Sequence, residues 1–162
     1  MPVPVIARIC GYCLGAGPEI AAACDMRIAT EDSIFGMPEV KVGVPSVVEA
    51  ALLPKLIGWG KSRVLCYTGE NITAKEALEW GLVEKVVPRS KLDEAIEKWI
   101  SSILVAGPNA IRLQKELFGY WEKMSISDAI KEGIRSIGKA YETEEPFKMI
   151  STKISQMQRN KK

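Results

Sequence analysis

Two glutamates, Glu19 and Glu39, follow a loop of small residues, Gly11-Tyr-Cys-Leu-Gly-Ala-Gly-Pro18. Together they describe a place where carboxylates could move a proton while backbone N–H groups hold an oxygen. The glycines let the loop backbone come close to a ligand. Pro18 fits the first position of a helix, and Glu19 fits the first turn, where the helix dipole favours a negative charge, so a helix is predicted to begin at Pro18. The N–H groups of Ala16 and Gly17 would then point outward at a positive helix end, an arrangement suited to an oxyanion that develops during reaction. Pro38 sets Glu39 at a strand entrance or loop, so the second carboxylate can face the same pocket. The chain has no histidine, which removes Ser-His-Asp and Cys-His mechanisms and leaves acid–base work to carboxylates. Either glutamate alone has a bland explanation, as a helix-dipole partner or a surface residue. The pair beside the loop is what points to chemistry.

Four cysteines, Cys10, Cys13, Cys24 and Cys66, include one C-x-x-C. Metal or redox chemistry would need further ligands at matching spacing or a second pair, and neither is present. The thiols therefore read as small apolar packing residues, and no metal site is expected. Lys and Arg total 22 against 20 Asp and Glu, which gives no electrostatic case for nucleic acid or a membrane surface. No apolar run approaches the roughly 20 residues that span a bilayer. A soluble, intracellular protein is the expectation, with the compartment open.

The elements that must position the loop and the glutamates can be read in order. Val3 to Cys10 is an apolar, strand-like run, and Glu19 to Cys24 a short helix. Met26 to Thr30 reads as a strand, Glu31-Asp32 as a turn and Ser33 to Gly36 as a short continuation. Asp25 reads as a structural turn or cap residue. Ser46 with Glu49, and Thr73 with Glu76, match the capping box and predict two helix starts. The first helix should meet a kink at Pro54 and close at Gly58. A further helix is predicted from Lys61 to about Tyr67. Ala74 to Trp80 should end at Gly81, and Leu82 to Val87 reads as a strand.

Beyond Pro88 the α/β alternation stops, dividing the chain into 1–88 and a helical region, 89–162. Ser90 to about Val105 carries apolar residues at helical spacing. Asn109 and Ser127 are candidate caps of the next two helices. Pro146 to Lys162 is a weaker helical pattern with a basic end at Arg159, Lys161 and Lys162. Trp59, Trp80, Trp99 and Trp121 recur at core-like positions and read as packing. The apolar faces after Ser90 exceed what one short α/β layer can cover, which predicts self-association.

Gly11 to Asp25, then Met26-Arg-Ile-Ala, Phe35-Gly-Met-Pro-Glu-Val and Thr68-Gly-Glu-Asn-Ile-Thr-Ala-Lys-Glu-Ala-Leu-Glu-Trp-Gly-Leu-Val-Glu-Lys-Val-Val-Pro88, resemble the enoyl-CoA hydratase/isomerase (crotonase) family. The likeness runs in the family's order and spacing from about Val3 to Pro88. It implies an α/β fold, part of a crotonase-like ββα spiral, with a C-terminal helical trimerisation region. It further implies an acyl-CoA substrate, a homotrimer or hexamer, and no cofactor beyond the coenzyme A carried by the substrate. The abrupt start in a buried strand implies further chain upstream, where the family keeps a second oxyanion donor and much of its CoA site. Low turnover by these 162 residues alone is the corresponding expectation.

Carried over residue by residue, the resemblance places the oxyanion donor at Ala16, with Gly17 beside it against the substrate, and the acidic pair at Glu19 and Glu39. Ala at the donor position keeps the N–H and adds a methyl. Family members with both acidic positions filled are hydratases. In the implied mechanism Glu19 orients a water that adds to Cβ of an enoyl thioester, and Glu39 exchanges a proton with Cα. A double-bond isomerase needs only one base and is the alternative within the family. A non-catalytic fragment or assembly subunit is the alternative outside it. Val44-Pro-Ser-Val-Val-Glu-Ala-Ala-Leu-Leu53 stands where many hydratases are glycine-rich, and Glu49 within it is a possible third acidic group.

Overall fold

The computed structural model describes residues 1–159; Lys161 and Lys162 of the basic end lie outside the described residues. The chain forms two compact units, Val5–Trp99 and Met1–Pro4 with Ile100–Lys162.

Within Val5–Trp99 the expected strand run holds β1 (Ile6–Ile9), and the stretch read as loop holds a further strand, β2 (Tyr12–Leu14), which belongs to a different three-stranded sheet. The handover falls at Gly11, whose φ of 80° is a left-handed conformation that side chains resist. Helix α1 (Ala16–Ala23) follows, then β3 (Met26–Thr30) and β4 (Ile34–Gly36), again one strand for each sheet. The two corners are tied together, because Ile34 N–H donates to the Gly11 carbonyl at 3.1 Å. β1 pairs parallel with β3, Ile6 opposite Met26, and β2 parallel with β4, Tyr12 opposite Ile34. This is the spiral of ββα turns that the resemblance implies.

The next turn supplies helix α2 (Leu53–Thr68), strand β5 (Asn71–Thr73), helix α3 (Ala74–Trp80) and strand β6 (Lys85–Val87). β6 completes the parallel sheet beside β3, and β5 lies antiparallel to β4. Pro54 sits in the first turn of α2 without kinking it; the break is at Gly58, with φ 78°. Thr73 and Glu76 form the expected capping box, and Gly81 caps the C-terminus of α3 in the left-handed region. Phe35, Met37, Leu53, Leu65 and Leu82, all at 0–1% exposure, form the core beneath α1, α2 and α3. Each such side chain contributes about 1.5–3 kcal/mol on burial. Arg27, buried in the same unit, donates from Nη1 to the carbonyls of Ala21 and Cys24 and pairs through Nη2 with Glu84. Asp25 Oδ2 accepts from Val5 N–H at 2.6 Å, the structural role expected of it.

Helix α4 (Leu92–Leu104) leads into α5 (Pro108–Trp121), α6 (Ile126–Tyr141) and α7 (Glu145–Arg159). Two caps differ from expectation. Pro108 occupies the first turn of α5, and Asn109 is inside it; the carboxylate of Glu145 accepts from Asn109 and Ala110 N–H at 3.0 and 2.9 Å. Ser125, not Ser127, caps α6 by accepting from Asp128 N–H. The tryptophans are not uniformly core residues: Trp59 is 67% and Trp121 41% exposed.

Candidate functional site

The small-residue loop ends in a helix that begins two residues earlier than predicted. Gly15 is its N-cap, with φ 61° and ψ −119°, and Ala16 and Gly17 are its first two residues. Proline lacks an N–H, and all first-turn positions lack an intrahelical acceptor, so Pro18 is accommodated at the third position as readily as at the first. The early start leaves Ala16 and Gly17 N–H at the positive helix end, where no carbonyl of the helix can reach them. Gly15 N–H is engaged elsewhere, donating to the Gly36 carbonyl at 3.0 Å. Gly17 also has a packing reason to be small, since a Cβ there would stand 3.2 Å from Cys13 Sγ. Burial pushes the Cys13 thiol up to about 11, so it is an un-ionised packing group at neutral pH.

Glu39 is not at a strand entrance. It lies in a 3-10 turn, Pro38–Val42, begun by Pro38; a proline restricts the residue before it, here Met37, and itself starts helical turns readily. The turn nevertheless delivers the carboxylate to the loop: Glu39 Oε1 lies 3.2 Å from where a Cβ on Gly15 would stand. Glycine at 15 thus serves both the positive φ and the close approach of an anionic oxygen.

Glu19, one turn into α1, is only 6% exposed. Its carboxyl is pushed above the usual range, first by burial and then by the negative charges of Glu39 and Glu49. Backbone N–H groups of Glu49 and Val47 donate to it and act in the opposite sense. The negative charge of Glu39 thus reaches the buried Glu19 carboxyl and, with burial, raises its affinity for a proton. Glu49 is the third acidic group nearby, and its backbone also contributes.

The Ser46–Glu49 capping box is not formed. Ser46 instead donates from its hydroxyl to Glu39 Oε2 at 3.0 Å, while the 3-10 turn Val48–Leu52 starts without a side-chain cap. The Cys66 thiol, from α2, pairs with the Ser46 side chain and is pushed up by burial. Beside this group opens a cavity of about 490 Å³ lined by Ser46, Val47, Trp59, Arg63, Cys66 and Tyr67, within the range of small-molecule sites. Arg63 lies over the Trp59 ring, 5.5 Å from its centroid, so Trp59 serves this rim and not the core. Ser46, Trp59 and Cys66 are missing from the residues nominated by sequence. The sequence signal for Ser46 was there, a hydroxyl seven residues after Glu39, but it also fitted a local cap. All four cysteines are free thiols. Among the described residues no group of three or more His, Cys, Asp or Glu could hold a metal, and no helix is long and apolar enough to cross a membrane.

A helix start offering N–H groups, a buried carboxyl with raised proton affinity, and a second carboxylate against the same loop can stabilise a developing oxyanion while passing a proton to or from a neighbouring carbon. Comparison with known proteins bears on which substrate that is. The family model described as enoyl-CoA hydratase/isomerase matches residues 1–145. A short-chain-enoyl-CoA hydratase of Clostridium acetobutylicum is 37% identical over 143 residues, 88% of this chain and 55% of the relative. A crotonyl-CoA hydratase of Syntrophomonas wolfei is 37% identical over 146 residues, 90% of this chain and 56% of the relative. The crystal structure of an enoyl-CoA hydratase from Bacillus anthracis superposes with a TM-score of 0.92 at 34% identity, covering 96% of this chain and 60% of that one. The chain therefore spans a little over half the length of these relatives.

Proposed function

The chain belongs to the enoyl-CoA hydratase/isomerase family, and from that premise we propose that it acts on an acyl-CoA thioester, adding water across the 2,3 double bond of the enoyl group. Ala16 N–H, with Gly17 beside it, holds the thioester oxygen as negative charge gathers there. Glu19 orients the water. Its oxygen bonds to Cβ while Glu39 delivers a proton to Cα and recovers one from the water, so the enzyme ends as it began. The observation that carries this reading is the meeting of both carboxylates at the loop, recorded by Glu39 Oε1 against Gly15 and by the effect of the Glu39 charge on Glu19. Isomerisation needs one base, and a second carboxyl beside the first favours hydration over it. The cavity lined by Ser46, whose hydroxyl reaches Glu39, supports room for substrate atoms near that carboxylate.

Self-association as a homotrimer or hexamer is part of the same proposal, supported by the exposed isoleucines of α6. The test is hydration of a short enoyl-CoA, followed by loss of its conjugated absorbance, in the protein as the cell makes it. Glu39→Gln should lower turnover by about 100-fold or more, the scale of a positioned acid–base group. Unchanged kinetics in that variant would remove Glu39 from the mechanism, and folded protein without turnover would favour a non-catalytic assembly role.

A further inference from the structure

Three of the four residues Ser46–Glu49 reach one or the other of the two carboxylates. Ser46 reaches Glu39 Oε2 through its hydroxyl at 3.0 Å. Val47 and Glu49 present backbone N–H groups to the Glu19 carboxyl. Between them Val48 has φ 50°, and it is the one non-glycine with positive φ among the described residues. A β-branched side chain in that region is a genuine outlier, and strain of this kind persists only where the surroundings over-determine it. Val47 before it is extended, at φ −129° and ψ −162°. The change of hand at Val48 falls between the two residues whose N–H groups meet the Glu19 carboxyl. Neither α2 nor the 3-10 turn needs it for capping, since both start without a side-chain cap.

We propose that Ser46–Glu49 is a double positioning segment, in which the Ser46 hydroxyl sets the direction of Glu39 and the turned backbone at Val48 sets that of Glu19. The proposal rests on the hydratase reading for its consequence in rate, though not for its geometry. The two carboxyls come from different turns of the spiral, and a single rigid segment that binds both fixes their mutual placement more tightly than either element alone could. Cys66, from α2, pairs with the same Ser46 side chain. Ser46 and Val48 act through the two carboxyls and are positioning residues.

The experiment uses Ser46→Ala, Ser46→Thr and Val48→Gly. Ser46→Ala should lower kcat by about tenfold, the rate equivalent of one lost hydrogen bond, with KM within about threefold; Ser46→Thr, which keeps the hydroxyl, should recover most of it. Val48→Gly should lower kcat several-fold while the melting temperature holds or rises, because glycine accepts φ 50° without strain. A purely structural role predicts the reverse pairing, a lower melting temperature with kcat retained, and that result would overturn the proposal. The carboxyl carbon signals of Glu19 and Glu39, read by NMR on ¹³C-glutamate protein, supply a readout independent of turnover. Ser46→Ala should move the Glu39 signal and Val48→Gly the Glu19 signal. If those signals move in a protein that hydrates nothing, the hydratase reading fails and the positioning stands. Unmoved signals overturn the positioning, whatever the turnover.

Discussion

At the scale of single residues, Glu19 makes the site's burial measurable. Its carboxyl titrates above the ordinary glutamate value because burial, Glu39 and Glu49 all disfavour its charge. The unfolded chain has no such bias, so between the ordinary value and the folded one the native state holds more protons than the unfolded state. Stability contributed by the neutral carboxyl is therefore present below the ordinary glutamate pKa and lost as pH rises through the folded value. Glu19→Gln, neutral at every pH, should flatten that decline and be more stable than the unmodified protein at neutral pH. Urea denaturation at a series of pH values checks it; parallel curves for the two proteins would show that Glu19 is charged at no cost. The sequence made Glu19, Glu39, Ala16 and Gly17 legible as candidates because their residue types and order are one-dimensional information. Ser46 was hidden because Ser-x-x-Glu fits a local cap equally well. Only the positive φ of Val48, which interrupts the helical path, and the arrival of Glu39 from seven residues upstream decide between the two uses.

At the scale of elements, α1 carries the loop and Glu19, and its far end is held by Arg27. That guanidinium binds two carbonyls of the helix end and the carboxylate of Glu84, whose other oxygen takes Arg27 N–H. Glu84 is about one third exposed, 36% at the side chain, so its loss should cost less than breaking a wholly buried pair. Glu84→Ala is expected to destabilise by about 1.5–3 kcal/mol, the scale of hydrogen bonds to a charged group, measured as a shift in urea midpoint at constant m-value. A change within about 0.5 kcal/mol, the ordinary surface range, would show that the helix end is held without it. Elements whose signals are local were legible: the Thr73 cap, the Gly81 stop and β3 all fall where residue types place them. Those set by distant partners were not. Glu145 accepts the first N–H groups of α5 from 36 residues away, and nothing near Asn109 announces it. Ser125 was recoverable, since Asp128 stands at the reciprocal position of its cap.

At the scale of the whole molecule, α6 shows Ile126, Ile130, Ile134 and Ile137 at 81, 62, 67 and 59% exposure. Spacings of four, four and three put them on one helix face. Singly exposed isoleucines are ordinary, but a continuous row marks an interaction surface, the one that the proposed trimer would cover. Replacing Ile130 and Ile134 together with lysine should convert the proposed assembly to monomer in sedimentation velocity at micromolar concentration, with helix content unchanged by circular dichroism. A stable monomer in the unmodified protein would remove the proposed trimer. Surplus apolar surface was legible in the periodicity, whereas its stoichiometry came only from the family likeness.

The register of the two sheets has one more consequence, for how this chain can change length over evolution. Ile6 lies opposite Met26 and Tyr12 opposite Ile34, so neighbouring turns of the spiral are offset by 20 and 22 residues. Glu19 and Glu39 are separated by 20 positions, one such interval. The two strands between them act as a ruler: a residue gained or lost within β3 or β4 slips part of that strand by one and turns its side chains to the opposite face. Insertions and deletions in descendants of this sequence should therefore be purged from Met26–Thr30 and Ile34–Gly36, even where every individual side chain in those strands tolerates substitution.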